Sequence, residues 1–484
     1  MIRSDNLFNF DNSYLSLPGK FYSIVKPSAF ASAQIYLLNE KLCDLLNVST
    51  KNRVDFLALF FGEERNKITK SYAQAYAGHQ FGYFTKLGDG RAIVMGEHIT
   101  QNGERFDIQI KGSGKTIYSR GGDGQATLKA MLREYLISEA MHYLNIPTSR
   151  SLAVIKTGQP VYREAIHEGA ALVRVMKSHI RVGTFEYAAH FGSAQDLKAL
   201  TEYTIKRLYP DIEQDKNPVV SLLNKVIISQ IELVANWMRV GFIHGVMNTD
   251  NTSISGESFD YGPCAFMNAY NPDTVFSSID NHGRYAFGNQ PNIIKWNIAR
   301  FAEAIMPIIH PDREESLHLA QTAIDGFNEI WSEKYYGIML NKLGFEINKP
   351  ELYVLVDEFL ELIIKLKMDY TNTFRALSQD IGSDISPINR PEFKPWLEKW
   401  RDAINNSCGI QKAKQLMITQ NPVFIPRNHL VEQALDQAVN GDLTLIEQLL
   451  GVFSQPYQNN KDLDEFKQPS SLEFEIRYKT FCGT

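Results

Sequence analysis

The chain has 484 residues, 44% of them hydrophobic, and 55 acidic against 50 basic side chains give a formal net charge of -5. That is enough apolar mass for a large core in two or three packed units, while the acidic balance excludes a general nucleic-acid binder, which needs a basic surface for the phosphate backbone. Cys43, Cys264, Cys408 and Cys482 are far apart and form no C-x-x-C pair, so neither a zinc site nor a disulfide scaffold is expected and the compartment reads as reducing.

The first thirty residues mix Asp5 and Asp11 with Pro18 and Pro27 and contain no continuous apolar stretch of the secretory kind. No uncharged apolar run reaches the roughly 18 residues needed to span a bilayer. A cytoplasmic protein with no membrane partner is expected. From Arg91 to Lys111 apolar and polar residues alternate on either side of Gln101-Asn102-Gly103, the pattern of a β-hairpin with an Asn-Gly turn. From Thr127 to Leu144 the spacing of Leu128, Met131, Leu132, Tyr135 and Leu136 predicts one amphipathic helix, stopped by Asn145 to Pro147. Two β-rich runs follow, Leu152 to Ile155 with Pro160 to Arg163, then Ala170 to Lys177. Beyond about residue 195 the period becomes helical, as in Val219 to Trp237 and Ile294 to Ile308. Residues from about 390 onward carry Pro391, Pro395, Pro422 and Pro426 and read as an extension of short helices packed on the helical half. The expected fold is α+β and protein-kinase-like: a sheet-rich lobe over 1–190, a helical lobe over 191–390 and a C-terminal extension over 391–484.

The most informative stretch is His244-Gly245-Val246-Met247-Asn248-Thr249-Asp250-Asn251, followed by Asp260-Tyr261-Gly262. A kinase catalytic loop H-R-D-x-x-x-x-N supplies a base and a metal-binding Asn, and a D-F-G Asp supplies a second metal ligand. Here the His, the Asn and the Asp-aromatic-Gly keep that spacing, but Val246 stands where the base belongs. Valine cannot accept a proton, so phosphoryl transfer in the usual geometry loses its base. Asn251 and Asp260 still offer hard oxygens suited to Mg2+ or Mn2+ on nucleotide phosphates. A new carboxylate, Asp250, stands beside them. Upstream, Lys111 ends a strand and Glu134 lies on the next helix, the order of the kinase ion pair. Leu87-Gly88-Asp89-Gly90-Arg91 occupies the place of a glycine-rich loop but lacks its third glycine. The insert from Gly112 to Gly124, with Lys115, Arg120 and Asp123, offers flexible amides and cations for phosphate oxygens. Gly112-Ser113-Gly114-Lys115-Thr116 imitates the end of a P-loop, yet Gln109 replaces its first glycine.

On these residues the chain resembles the selenoprotein O family, the YdiU-type protein adenylyltransferases described as pseudokinases. The resemblance runs nearly end to end: Phe10-Asp11-Asn12, Ala77-Gly78-His79-Gln80-Phe81-Gly82, Tyr118-Ser119-Arg120, Ser178-His179-Ile180-Arg181, Gly283-Arg284-Tyr285-Ala286-Phe287 and Pro426-Arg427-Asn428-His429-Leu430. It implies ATP held in reversed orientation and AMP transferred to Ser, Thr or Tyr hydroxyls of protein partners. Carried over by motif, Gly88, Gly90, Arg91, Lys111, Asp123, Gly124, Arg174, Arg181 and Asp260 would bind nucleotide, Asn251 and Asp260 metal, and Asp250 the proton. Phe481-Cys482-Gly483-Thr484 resembles the family's redox-active end, but the partner cysteine of related bacterial chains is missing around Val275-Phe276-Ser277-Ser278, where Cys264 is the nearest substitute.

Blander readings stand beside these. Arg174 and Arg181 are expected on phosphate rather than on acids such as Glu164 or Glu186, and His79 and His179 are expected to be hydrogen-bonded structural histidines rather than metal ligands. A phosphoryl-transferring kinase with a relocated base and a non-catalytic nucleotide-binding regulator are the competing functions.

Overall fold

Alternation along the N-terminal strands decides which side chains reach the interior and which reach the cleft. The structure, a computed structural model, describes residues 7–49, 53–62, 70–379 and 388–481. In chain order its strands are β1 (Phe10–Asp11), β2 (Tyr22–Ile24), β3 (Gln34–Leu38), β4 (Tyr72–Gln74), β5 (Ala77–Gln80), β6 (Tyr83–Lys86), β7 (Ala92–Ile99), β8 (Arg105–Lys111), β9 (Ala126–Thr127), β10 (Arg150–Tyr162), β11 (Ile166–Met176), β12 (Phe242–Ile243) and β13 (Ala265–Phe266). Two pairs, β5 with β6 and β12 with β13, are separate ribbons. The others form one antiparallel sheet along β2-β4-β7-β8-β11-β10-β3, with β1 added to β7 and β9 to β11.

The predicted hairpin is β7 and β8, in register from Ala92 opposite Lys111 to Ile99 opposite Arg105. Its turn closes when the Gly103 N–H donates to Thr100 O (3.0 Å), and Gly103 sits at φ +81, a backbone glycine adopts without penalty. Ile108 and Ile110 face one side of the sheet with Ile93, Met95, Val173 and Val175. The intervening Gln109 and Lys111 therefore face the other side, where Arg174 stands opposite Gln109. The two expected β runs are β10 and β11, and the break between Ile155 and Pro160 within the first is a register shift between Lys156 and Pro160. Gly158, at φ +71, makes that bulge, so the alternation is broken without ending the strand.

One face of the sheet is closed by α1 (Glu40–Leu45) and α2 (Arg53–Phe60), the other by α3 (Leu128–Tyr143), the predicted amphipathic helix. Thr127 caps α3 by accepting the Ala130 N–H, and Asn145 at φ +59 turns the chain away after it. Helices then dominate from Val182 onward: α4 (Val182–Phe191), α5 (Ala194–Leu208), α6 (Pro218–Val240), α7 (Gln290–Ile309), α8 (Arg313–Asp325), α9 (Phe327–Lys342), α10 (Tyr353–Lys365) and α11 (Tyr370–Gln379). Helix α6 starts on an Asn217 cap with Pro218 in its first turn and ends on Gly241 at φ +74. By length and composition it could cross a membrane, but half of its apolar window is buried inside the fold, as in a core helix packed on α7 and α9. The layout is the kinase-like one, a mostly antiparallel sheet region followed by a helical region.

The C-terminal part divides between the two halves. Helices α12 (Lys394–Ser407) and α13 (Ile410–Gln420) join the helical half through Trp396, Trp400 and Met417. Helices α14 (Asn428–Val439) and α15 (Thr444–Phe453) instead pack on α3, so the expectation of packing on the helical half alone is corrected. Arg133 of α3 ties three regions together. Its guanidinium donates to Gly262 O (3.0 Å), Cys264 O (2.7 Å), Glu432 (2.7 Å) and the Tyr478 hydroxyl (3.0 Å).

Candidate active site

The ribbon of β12 and β13 brackets residues 244–264, so the His244 loop and the Asp260 turn are held as one excursion beneath the sheet. Two buried amides of α7 brace it. Gln290 accepts the His244 N–H (3.1 Å) and donates to Phe242 O (3.1 Å), while Asn297 donates to Met247 O (3.0 Å) and to the Thr252 hydroxyl (2.9 Å). His244 is buried, its Nε2 paired with Phe259 O at 3.0 Å, and burial holds its pKa below the ordinary value. It is a structural residue of the loop.

A cleft of about 330 Å³ lies between this loop and the sheet. Its lining includes every one of the residues singled out above as ligands or base: Gly88, Gly90, Arg91, Lys111, Asp123, Gly124, Arg174, Arg181, Asp250, Asn251 and Asp260. At its buried end the Lys111 ammonium bridges Glu134 (2.7 Å) and Asp260. Arg174 contacts the same two carboxylates, reaching Asp260 at 2.7 Å, rather than Glu164 or Glu186. Burial alone would raise the pKa of Asp260, but Lys111 and Arg174 outweigh it and hold the carboxyl well below its usual range. Glu134 is likewise lowered against its burial, by Arg174 and Lys111. Asp260 also has φ +62, a left-handed backbone uncommon outside glycine.

Arg181 opens α4 and is nearly fully buried. It donates to Asp250 O (3.1 Å), lies 3.9 Å from Asp89, and stacks on Tyr76 at 4.2 Å and Phe259 at 4.9 Å. Asp250 itself is buried, its Oδ1 has no hydrogen-bond partner, and burial pushes its pKa up to about 7 against the pull of Arg181. An orphaned buried carboxylate oxygen is costly unless a donor reaches it. The Asn251 amide donates to Val246 O (3.1 Å), which assigns its other end as the acceptor. The oxygens of Asn251 and Asp260 thus suit a hard divalent ion. Among the described residues, no three His, Cys, Asp or Glu side chains gather into an all-protein metal site.

The glycines of the cleft are fixed by packing. The segment 112–124 folds over the 88–91 loop, with the Thr116 hydroxyl donating to Asp89 O at 2.6 Å. A Cβ on Gly88 would lie 2.4 Å from the Tyr118 ring, and one on Gly90 would lie 2.9 Å from Tyr118 O. Gly124, at φ +70, has Gly114 O 2.1 Å from such a position. No helix follows Thr116, so the P-loop imitation is only that. Asp123 pairs at the rim with Arg163 (2.7 Å), which also lines the cleft.

Several lining residues were not assigned from sequence. Asp89 is buried, accepts the Gln74 N–H (3.0 Å), and is raised by burial to about 6. Gln109 donates nothing from its buried Nε2, its Oε1 being taken by Arg174 at 3.2 Å. Gly78 abuts Asp250: a Cβ there would lie 2.7 Å from its Oδ1. The only sequence signal for these was their place inside quoted motifs. His79 and His179 are hydrogen-bonded to Glu186 and Asp107, as expected of structural histidines. Cys264 is fully buried, donates to Tyr261 O (3.2 Å), and its thiol is pushed up to about 12 by burial. Cys482 lies outside the described residues. The Phe276-to-Ser278 stretch is joined to the C-terminal segment by backbone bonds, Thr480 N–H to Phe276 O (2.8 Å) and Ser278 N–H to Thr480 O (2.9 Å).

Comparison with known proteins places the chain. A family described as protein adenylyltransferase SelO matches residues 6–454. The protein nucleotidyltransferase YdiU of Bacillus cereus (strain B4264) is 49% identical over 481 residues, covering 99% of this chain and 98% of the relative. That of Clostridium perfringens (strain SM101 / Type A) is 47% identical with the same coverage. Among solved structures, a rhoptry antigen kinase domain of Toxoplasma gondii aligns at 12% identity and a TM-score of 0.25 over 60% of this chain and 88% of that one, a likeness too slight to bear weight. The chain belongs to the SelO family of protein adenylyltransferases, and with it to the protein nucleotidyltransferases.

Proposed function

We propose that the cleft takes ATP with its terminal phosphates toward Lys111, Arg174 and Arg181 and its α-phosphate beside Asp250, Asn251 and Asp260, and transfers AMP to Ser, Thr or Tyr hydroxyls of other proteins. The observation that carries this reading is the convergence of those three cations at the buried end of the cleft, while Val246 leaves the usual base position empty of any proton acceptor. Arginine forks suit phosphate oxygens. In the transfer, the acceptor oxygen bonds to the α-phosphorus, and the bond from that phosphorus to the bridging oxygen of the departing pyrophosphate breaks. The hydroxyl proton passes to the Asp250 carboxylate. Lys111, Arg174 and Arg181 stabilise the charge that develops on pyrophosphate. Asn251 and Asp260 would hold Mg2+ or Mn2+, whose chemistry here is neutralisation of phosphate charge.

ATP labelled at the α- or the γ-phosphate tests the reaction. Label on acceptor protein from α and not from γ is expected, and γ-label would replace the reading with phosphoryl transfer. The orientation is tested by Arg174→Ala and Arg181→Ala, expected to lower AMP transfer by roughly 10²- to 10³-fold. Calorimetry should show both weakening ATP far more than AMP, which lacks the phosphates they hold. Equal losses for the two nucleotides would undo the reversed pose, and melting curves of the same variants separate a folding defect from a binding one.

A further inference from the structure

The ribbon of β5 and β6 roofs Asp250 and then continues into solvent as an aromatic ridge. Backbone N–H groups of His79 and Phe81 donate to the Thr249 hydroxyl (2.7 Å) and Asn248 Oδ1 (3.1 Å), fixing the ribbon to the loop that carries Asp250. At its outer end Tyr83 is 79% exposed, and Phe84 stacks on His190 at 4.3 Å beside Phe191, which is 43% exposed. On its other flank His79 stands edge-on to Trp296 at 5.2 Å, and the Arg284 guanidinium lies 4.9 Å from the same indole. Large aromatics and arginine gathered on one exposed face mark a surface that binds protein.

Arg284 supplies the chemistry of the partner. Among the described residues no carboxylate pairs with its guanidinium, and its Nε is buried with no hydrogen-bond partner. Asp280, four residues earlier, uses its carboxylate on the backbone N–H groups of Arg284 (2.9 Å) and Tyr285 (2.7 Å). Glu303 is held by Arg300 at 2.6 Å, and Glu186 is buried against His79 and Thr249. Of the patch's cations Lys86, Arg284 and Arg300, Arg300 alone has a carboxylate partner among the described residues. The half-buried guanidinium carries a charge with none of the described carboxylates on it, which an incoming carboxylate can pair through its terminal nitrogens. Gly82, at φ +89, lets the ribbon turn beside the guanidinium, and a Cβ there would lie in ordinary contact with it, 3.8 Å from its central carbon. The patch is also close to the chemistry: the Tyr285 hydroxyl, beside Arg284, donates to Asn248 Oδ1 at 2.6 Å, two residues before Asp250.

We infer that this face docks the acceptor segment of the protein substrate, with an acidic side chain near the acceptor hydroxyl paired to Arg284 and an apolar neighbour laid on Tyr83 and Phe84. The inference rests on the AMP-transfer reading only for the identity of the partner, and docking is measured without transfer. Fluorescein-labelled synthetic peptides, each with one Ser flanked by Asp, by Asn or by Lys, are titrated with the full chain and read by anisotropy. The Asp peptide binds about tenfold more tightly than the Asn peptide, and the Lys peptide more weakly still. Arg284→Glu abolishes or reverses that order while ATP affinity stays unchanged. Arg284→Gln gives the same loss if the charge reversal does not fold, and Tyr83→Ser, at a solvent-exposed position, weakens all three peptides by about threefold. Equal affinities for the three peptides overturn the inference, as does an Asp preference that survives in both Arg284 variants. So does an oligothymidylate that displaces the Asp peptide with the same dependence on Arg284. A separate arm follows α-labelled ATP with the same peptides. Label without acidic preference sinks the docking surface, whereas acidic preference in binding with no α-label on any acceptor sinks the AMP-transfer reading alone.

Discussion

The cleft and the C-terminal helical core are both buried, yet they treat charge in opposite ways. In the cleft Lys111, Arg174, Glu134 and Asp260 answer one another, and Asp250 and Gln109 are left with unsatisfied polar atoms. In the helical core the buried Lys342 has no carboxylate partner among the described residues. Its amine donates to Arg239 O (2.7 Å) and lies over the Phe374 ring at 4.0 Å and the Tyr370 ring at 5.0 Å. Burial pushes the pKa of Lys342 well below that of an ordinary lysine. One region sets its charges around an open cleft, and the other encloses an amine in aromatic packing. Buried polarity therefore points to chemistry only where the charges converge on a space.

Substitutions in the two regions are expected to act oppositely, on turnover in the cleft and on stability in the helical core. Asp250→Asn should lower turnover by about 10²- to 10⁴-fold, the share of a general base, with ATP affinity and melting temperature nearly unchanged. Wild-type turnover in a folded variant would remove Asp250 from the mechanism. In the helical core the effect reverses. Trp400→Ala, at a fully buried indole that donates to Leu343 O (2.9 Å), should cost about 3–5 kcal/mol of stability in chemical unfolding. Activity per folded molecule should remain, and selective loss of AMP transfer would mean that the two regions are coupled.

A smaller effect sharpens the boundary between them. Glu257 is buried, accepts the Ser255 hydroxyl (2.7 Å) and the Lys177 N–H (3.1 Å), and burial raises its pKa to about 7. A folded pKa above the unfolded value means that the folded state binds more protons between the two. Its contribution to stability is then fully present below about pH 4.5 and is lost as pH rises through about 7. The change is worth about 3 kcal/mol. Glu257→Gln should flatten that part of the stability curve measured by denaturant titration, and an unchanged slope would place the titration elsewhere.

How much of this was legible in the sequence depends on distance along the chain. The hairpin, helices α3, α6 and α7 and the spacing from His244 to Asp260 are local patterns, and the structure shows each near its expected bounds. The Lys111–Glu134 pair was legible because strand and helix follow one another. Other contacts join remote segments. Gly78 reaches Asp250, Gln290 reaches His244, and Arg133 reaches Tyr478, each across a separation that periodicity does not encode. The division of the C-terminal helices was hidden for the same reason, since amphipathic spacing says that α14 and α15 bury a face but not against what. Arg174 was expected on phosphate, and its two carboxylate contacts follow from β11 lying beside β8, a fact of sheet order.

The four bonds of Arg133 have a consequence for motion. One guanidinium bonds α3 to the backbone behind Asp260, to α14 and to the C-terminal segment. Helix α3 cannot swing away to separate Glu134 from Lys111 unless all of those contacts open together. Two segments cover the cleft instead: the glycine-rich 112–124 segment, resting on the 88–91 loop, and the β5–β6 ribbon, pinned to the loop at Asn248 and Thr249. On this geometry a bound nucleotide would exchange by movement of those two covers, with the Lys111–Glu134 pair left assembled.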